Sequence, residues 1–399
     1  MSTRPPTKFS PVTPPGSPRR RSRMGGVAAL TAPLAFAVLL AACSSTTNNA
    51  RSTTTTTNAA ATLASLQNWP TQTVALQETG SSLLFPLFQL WAQKIQQQWP
   101  SVSITSAATG SGTGISSAAA GTVNIGASDA YLSSAQMQQY PGLENIPLAI
   151  SAQQVNYNVP GITAHLKLDG LTISAIYQGQ VTNWNDAKIA ALNPGVSLPN
   201  LPIVTVHRSD SSGDTFLFSS FLSAADPTGW GQRIPPGTTV SWPTAPGAVA
   251  AQGNGGVLQA CQRSPGCIAY IGISYLNQAT AAGLGYASLK NKAGNFELPS
   301  QATISSAASS FANQTPANAA ISMIFGPASD GYPIVNYEYA IVPTKQPNAL
   351  AAQAVKAVLA WSIDSSGGSA PTYLDQVNFV ALPAQVLAIS AKLISKVAS

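Results

Sequence analysis

Three loops of small polar residues constrain this chain most, because each one follows a strand pattern and opens a helix pattern. They are Thr79-Gly80-Ser81-Ser82-Leu83-Leu84-Phe85-Pro86, Thr109-Gly110-Ser111-Gly112-Thr113-Gly114 and His207-Arg208-Ser209-Asp210-Ser211-Ser212-Gly213-Asp214-Thr215-Phe216. Thr73 to Leu76 reads as a strand, and Leu87, Leu90, Trp91, Ile95 and Trp99 recur at helical spacing, with Pro86 suited to the first turn. Ser101 to Ser106 reads as a strand, Ile115 to Ala120 as a short helix, and Val123 to Ala127 as the next strand. The rhythm returns at Ile203 to Val206 and Phe216 to Leu222, then in a late strand, Pro333 to Pro343, and a long helix, Ala349 to Ile363. This alternation predicts an α/β fold built on a mainly parallel sheet with helices on both faces.

The loops also define a chemistry. A helix N-terminus carries roughly half a positive charge and several free N–H groups, so it attracts anions. Glycine allows close approach of a ligand, and serine adds a hydroxyl donor. Arg208 adds a fork of donors suited to a tetrahedral oxyanion, and Asp210 stands two residues on, placed to orient it. Asp129 follows the Val123 to Ala127 strand, where open α/β sheets bind ligands. A carboxylate there can accept a proton from a protonated oxyanion; it can equally serve as an N-cap or turn residue. Any one loop is compatible with an ordinary turn, but three, one of them with an arginine, point to an anion site.

Composition narrows the alternatives. Hydrophobic residues make up 45 % of the 399, enough for a sizeable core, while charged residues make up only 8 %. Six of the 19 basic residues (Arg4, Lys8, Arg19, Arg20, Arg21 and Arg23) lie in residues 1–42, leaving 13 to face 13 acidic ones. So neutral a body gives no counterion-release binding, and no nucleic-acid partner is expected. The basic start, the apolar run Gly25 to Ala42 and the small residues before Cys43 follow the signal-peptide pattern, against a retained membrane anchor. Leu40-Ala41-Ala42-Cys43 resembles a bacterial lipobox, which implies removal of residues 1–42, lipidation of Cys43 and anchoring to the outer face of the cell membrane. Residues 43–69, rich in Ser, Thr, Asn and Ala, then read as a flexible tether. Outside the cytoplasm, Cys261 and Cys267 read as a small structural disulfide across Pro265-Gly266 rather than a metal site. An enzyme is not expected. His165 and His207 are the two histidines, no Gly-x-Ser-x-Gly elbow or Gly-Lys pair occurs, and no cluster has metal-ligand spacing. No cofactor is implied.

Thr79-Gly80 with Phe85-Pro86, Gly110-Ser111, Gly121 to Asp129, Arg208 to Phe216, Val240 to Pro243, Gly253 to Val257, Gln262 to Tyr270 and Tyr332-Pro333-Ile334 carry a family resemblance. From about residue 73 to 390 the chain resembles the phosphate-binding lipoproteins of Pst-type ABC transporters. The resemblance implies a class II periplasmic-binding-protein fold. One lobe would be 70–149 plus 330–399 and the other 150–329, joined by a two-segment hinge near Ala149 to Asn158 and Pro333 to Pro343. It implies a monomer that binds inorganic phosphate in the interlobe cleft and passes it to an ABC permease with a cytoplasmic ATPase. The implied ligands are the backbone at Leu84 and Phe85, then Ser111, Asp129, Arg208, Ser212 and Gly213, with Asp210 holding Arg208. Two positions depart from the family pattern, because Leu84 and Asp214 each stand where threonine is usual. Asp214 has two readings. Either it joins the site and favours H₂PO₄⁻ over the dianion, or it points to solvent as an N-cap. A sensor or surface lipoprotein with altered anion specificity is the alternative function.

Overall fold

A computed structural model describes residues 59–399. The leader, Cys43 and the first part of the expected tether lie outside the described residues.

The sheet begins with β1 (Val74–Gly80), α1 (Phe85–Gln98), β2 (Val102–Ala108), α2 (Ser111–Ala119) and β3 (Ile125–Ser128). Helix α1 starts at Phe85-Pro86, where proline costs no hydrogen bond, and buries Leu87, Phe88, Trp91 and Ile95. β1 pairs in parallel with β2 and with β3, as the βαβ rhythm requires. The 16-residue strand β4 (Leu143–Asn158) follows. The chain then forms β5 (Val204–Arg208), α3 (Gly213–Ala225), β6 (Val249–Ala251), α4 (Gly253–Arg263) and β7 (Cys267–Gly272), and returns through β8 (Val335–Pro343) and α5 (Ala349–Ser362).

These strands form one sheet in the order β2-β1-β3-β8-β4-β7-β5-β6, with the short strand Gly285–Tyr286 also against β4. The sheet is mixed rather than mainly parallel: both outer groups are parallel, but β8 runs antiparallel to β3 and β4, and β4 antiparallel to β7. β4, reached through residues 129–142 and the helix Ser134–Gln139, keeps the direction of β3, whereas β8 arrives by a long connection from β7 and inserts antiparallel between them. β4 serves both ends of the sheet. Residues 143–152 pair with β8 and residues 153–158 pair with β7. Just before β8, Ile334 accepts from the Gln153 N–H at 3.1 Å and the Tyr332 hydroxyl donates to the Gln153 carbonyl at 3.0 Å. Both crossings between the two halves therefore lie side by side.

The far end of the expected tether is not free chain. Residues 59–66 are helical, with Ala59 and Leu63 buried. Trp69 stacks on Trp99 with centroids 3.7 Å apart, and Gln67 donates to Asp364 at 2.6 Å. Ala59, Leu63 and Leu66 share one helical face, and burying it outweighs the polar composition around it. Among the described residues, no helix is long and apolar enough to cross a membrane.

The expected disulfide is present between Cys261 and Cys267 and ties the end of α4 to the start of β7 inside a small core with Val206, Val257 and Ile271. A loop this short, spanning a sequence separation of 6, restricts the unfolded chain modestly. Replacing both cysteines with alanine should lower unfolding free energy by about 2 kcal/mol without loss of fold, read as a lower urea midpoint.

Candidate anion-binding site

The three loops meet where the two halves of the sheet face each other. Gly110 has φ 95°, and a Cβ there would sit 2.6 Å from Asp210 Oδ2 and 2.7 Å from the Ser211 carbonyl. Only glycine fits, in both conformation and space. The Gly112 N–H donates to the Ser211 carbonyl at 3.0 Å, which fastens the second loop to the third. Gly213 opens α3 so close to the opposite half that a Cβ would overlap Asp129 Oδ2 and lie 2.6 Å from Ser111 Oγ. Ser111, Asp129 and Gly213 thus converge at two helix N-termini, those of α2 and α3.

The first loop supports Asp129. Ser81 Oγ donates to Asp129 Oδ1 and accepts the Leu83 and Leu84 N–H groups at 3.1 and 2.9 Å. The Phe85 N–H bonds the Ser81 carbonyl at 3.1 Å, and the Leu84 side chain is buried in the core. The N–H groups at Leu84 and Phe85 are therefore occupied within the loop. Ser111 Oγ lies 3.2 Å from Asp129 Oδ2. Burial and then the charge of Asp214 push the Asp129 carboxyl up to about 7, against the pull of Ser81, Glu338 and Arg208.

Arg208 ends β5 and is 4 % exposed. Its backbone N–H donates to the Tyr270 hydroxyl at 2.9 Å, and that hydroxyl also meets Thr215 Oγ1 at 2.7 Å. Its Nε donates to Asp210 Oδ1 at 2.7 Å, its Nη2 to Asp210 Oδ2, and its Nη1 to Asp214 Oδ2 at 2.6 Å. Three of the five guanidinium N–H donors are engaged by carboxylates, which leaves two. Burial works against the cation, but the two carboxylates more than offset it and hold Arg208 above its ordinary range. Asp210 stays below its ordinary range because Arg208 and the Gly253 N–H outweigh its burial.

Asp214 does not point to solvent. It is fully buried in the first turn of α3, and Ser212 is the N-cap, accepting from the Thr215 N–H. Besides Arg208, Asp214 accepts from Gln153 Nε2 at 3.1 Å and Asn254 Nδ2 at 2.8 Å. Burial raises its carboxyl, and these donors partly offset that. A polar first turn, which read equally well as a surface cap, is here drawn inward by a buried arginine. His207 packs against Trp242 with centroids 5.0 Å apart and takes no part in the cluster.

The structure adds groups to the sequence reading. Ser82 accepts from the backbone and side-chain N–H groups of Asn254 at 3.1 and 3.0 Å, and Ser274 Oγ donates to the Leu83 carbonyl at 2.8 Å, joining the two halves. Gln153 stands where β4 crosses. Glu338, on β8, is fully buried beside Asp129. A carboxylate between Tyr337 and Tyr339 in a central strand was the available signal for it.

An α/β body in two halves, crossed by two adjacent segments and with an anion-directed cluster between them, is the architecture of a two-lobed solute-binding protein. A family model described as a PBP superfamily domain matches residues 44–366. Over 316 residues the chain is 32 % identical to the phosphate-binding protein PstS of Xylella fastidiosa (strain 9a5c), covering 78 % of this chain and 83 % of the relative. It is 30 % identical to PstS of Methanocaldococcus jannaschii, covering 83 % and 88 %. In structure it superposes on a high-affinity periplasmic phosphate-binding protein, PfluDING, bound with phosphate at pH 8.5, with a TM-score of 0.63 at 22 % identity, covering 81 % of this chain and 93 % of that one. The chain belongs to the PstS family within the PBP superfamily and has its two-lobed periplasmic-binding-protein fold.

Removing the Arg208 charge would strand Asp210 and Asp214 together. Arg208→Met should lose about 3–5 kcal/mol of stability at pH 7.5. The loss should be smaller at pH 4.5. Without the cation both carboxylates titrate at higher pH in the folded state than in the unfolded chain, so folding is penalised as pH rises through that window. Urea unfolding of wild type and variant at the two pH values checks this.

Proposed function

We propose that this protein is an extracytoplasmic receptor that captures inorganic phosphate between its lobes and delivers it to an ABC permease. The observation that carries the reading is the convergence of Arg208, Asp129, Ser111 and Gly213 from both halves at two helix N-termini. Arg208 supplies charge and its two remaining donors, Ser111 a hydroxyl, and Asp129 an acceptor for a phosphate proton, which sulfate at neutral pH does not offer. Ser212 and the backbone near Leu84 and Phe85 complete the wall, the latter once the loop releases those N–H groups. The lobes are 70–149 with 330–399, and 150–329, and they hinge where β4 and the lead-in to β8 run together. Lipid on Cys43 would hold the protein, as a monomer, at the outer face of the membrane. The role is binding rather than catalysis.

Asp214 sets the form of the ligand. One guanidinium faces Asp210 and Asp214, and Asp129 is a third carboxylate. A dianion brought into this site adds like charge where water is scarce, at a cost of about 4 kcal/mol for a pair ~4 Å apart in an effective dielectric near 20. Phosphate therefore enters with its protons, as H₂PO₄⁻. The same Asp214–Arg208 bond and the apolar Leu84 support the second reading, a surface lipoprotein or sensor with altered anion specificity.

Calorimetric titration of the purified protein with phosphate and with sulfate, at pH 5 and pH 8, separates the readings. Phosphate binding that is tighter at pH 5 is the expected result, with sulfate excluded at pH 8, where Asp129, pushed up to about 7, is ionised and has no proton to donate. Equal or tighter binding at pH 8 removes the H₂PO₄⁻ preference, and no binding at either pH moves the second reading forward. Asp214→Thr frees an Arg208 donor and adds a hydroxyl, so it should tighten phosphate binding at pH 8 by roughly tenfold or more and flatten the pH dependence.

A further inference from the structure

Glu338 lies behind the ligand-facing side of the site, and the phosphate reading assigns it no role. It is 0 % exposed, on the central strand β8. Its Oε1 accepts from Ser151 Oγ at 2.5 Å and Asn336 Nδ2 at 3.0 Å. Ser151 and Asn336 are cross-strand partners, and the Ser151 hydroxyl also lies 2.7 Å from Asn336 Oδ1. The register between β8 and β4 shifts at Glu338/Tyr339. Such an irregularity is a means of re-aiming a side chain. The Glu338 Oε2 atom meets no N–H or O–H donor among the described residues. Tyr339 pairs with Ser128 across β8 and β3, and Asn336 Nδ2 donates to the Asp129 carbonyl at 3.3 Å, so Glu338 stands beside Asp129, and the two carboxyls act on each other.

A hydrogen bond between two carboxyl groups needs a proton between them. The surroundings decide its owner. Asp129 has serine hydroxyls from Ser81 and Ser111 on its two oxygens and feels the Arg208 charge, all of which favour its anion. Asp214, facing it from α3, opposes this. Among the described residues Glu338 gains the two donors on Oε1 and no cation acts on it; Asp129 and the buried ring of Tyr339 are the titratable groups beside it.

We propose that Glu338 is a positioning residue that keeps a proton in the folded protein and donates it to Asp129, so that Asp129 is held as an oriented acceptor for the ligand's proton. The ligand part of this inference rests on the phosphate reading; the protonation of Glu338 does not. Burial and the adjacent Asp129 carboxylate both act to keep the Glu338 proton in place well above the ordinary carboxylate range. The device costs the site no extra negative charge, since a neutral acid donor does the orienting.

Infrared difference spectroscopy of the unliganded protein at pH 7.5, wild type minus Glu338→Gln, tests the protonation directly. A protonated-carboxyl band assigned to Glu338 is expected. Glu78, buried beside Ser106 and pushed up to about 8, contributes equally to both samples and cancels. Absence of the band overturns the proposal whether or not phosphate binds. Phosphate titrations from pH 5 to pH 8 test the positioning. Glu338→Leu removes the donor, so the midpoint of the pH profile should rise by about one unit, the size of one charge-assisted hydrogen bond. Glu338→Gln, which still donates, should restore the wild-type profile to within half a unit. A leucine variant with an unmoved profile, or a glutamine variant displaced by more than one unit, overturns it. If the leucine variant does not fold, the glutamine profile and the infrared band decide. If wild type binds no phosphate, the proposed function fails, and the infrared measurement still settles the state of Glu338.

Discussion

The buried ion cluster around Arg208 is the constraint on which the site depends. A guanidinium 4 % exposed at the end of a strand cannot stand without partners, because the cost of taking a cation out of water is several kcal/mol. Asp210 and Asp214 supply them from one short loop, two and six residues on. That requirement fixes the path of the third loop, turns the first turn of α3 inward and recruits Gln153 to Asp214 Oδ1 and Asn254 to the Oδ2 that Arg208 also holds. Tyr270 pins the backbone behind the arginine. The stability of the cluster and the electrostatic character of the site are thus one property.

The two halves of the molecule approach each other through missing side chains. Gly110 and Gly213 sit where a single methyl group would strike the opposite half. Backbone and serine hydroxyls fill the contact instead: Gly112 to Ser211, Asn254 to Ser82, Ser274 to Leu83. Such contacts are individually worth about 1 kcal/mol and bury little apolar surface, so they can be exchanged for water or ligand without unmaking either lobe. One large apolar cluster runs behind this seam through both halves and takes in Leu83 and Leu84 of the first loop.

Much of this was legible in the sequence. The strand–loop–helix junctions and the disulfide follow from local pattern, because helix starts and glycine turns are local events; the same pattern marks Arg208 with Asp210 and leaves Asp129 open, while Ser111 and Gly213 are singled out as ligands by the family resemblance. What was not legible is what depends on long-range pairing. The antiparallel centre of the sheet arises from β4 meeting β8 across nearly two hundred residues, and periodicity carries no record of partner or direction. The inward turn of Asp214 is decided by Arg208 and Asn254, not by the N-cap preference of its own helix. The helix at residues 59–66 was hidden by composition, although Ala59, Leu63 and Leu66 already shared a face.

Packing several acids around one cation has a chemical consequence. Water cannot neutralise charge in a seam this closed, so protons must. Glu338 meets the demand with a proton of its own, Asp210 with an arginine fork, and Asp214 with three donors. Asp129 is left between these solutions, near the middle of the accessible pH range at about 7. It is the acid whose protonation a ligand can change, since the others are already committed to internal partners. An anion that brings a proton to Asp129 relieves the cluster, whereas one without a proton adds charge with nothing to share. In the proposed phosphate reading, discrimination between oxyanions of similar size and shape then rests on the proton count of the whole buried network rather than on the fit of any single contact.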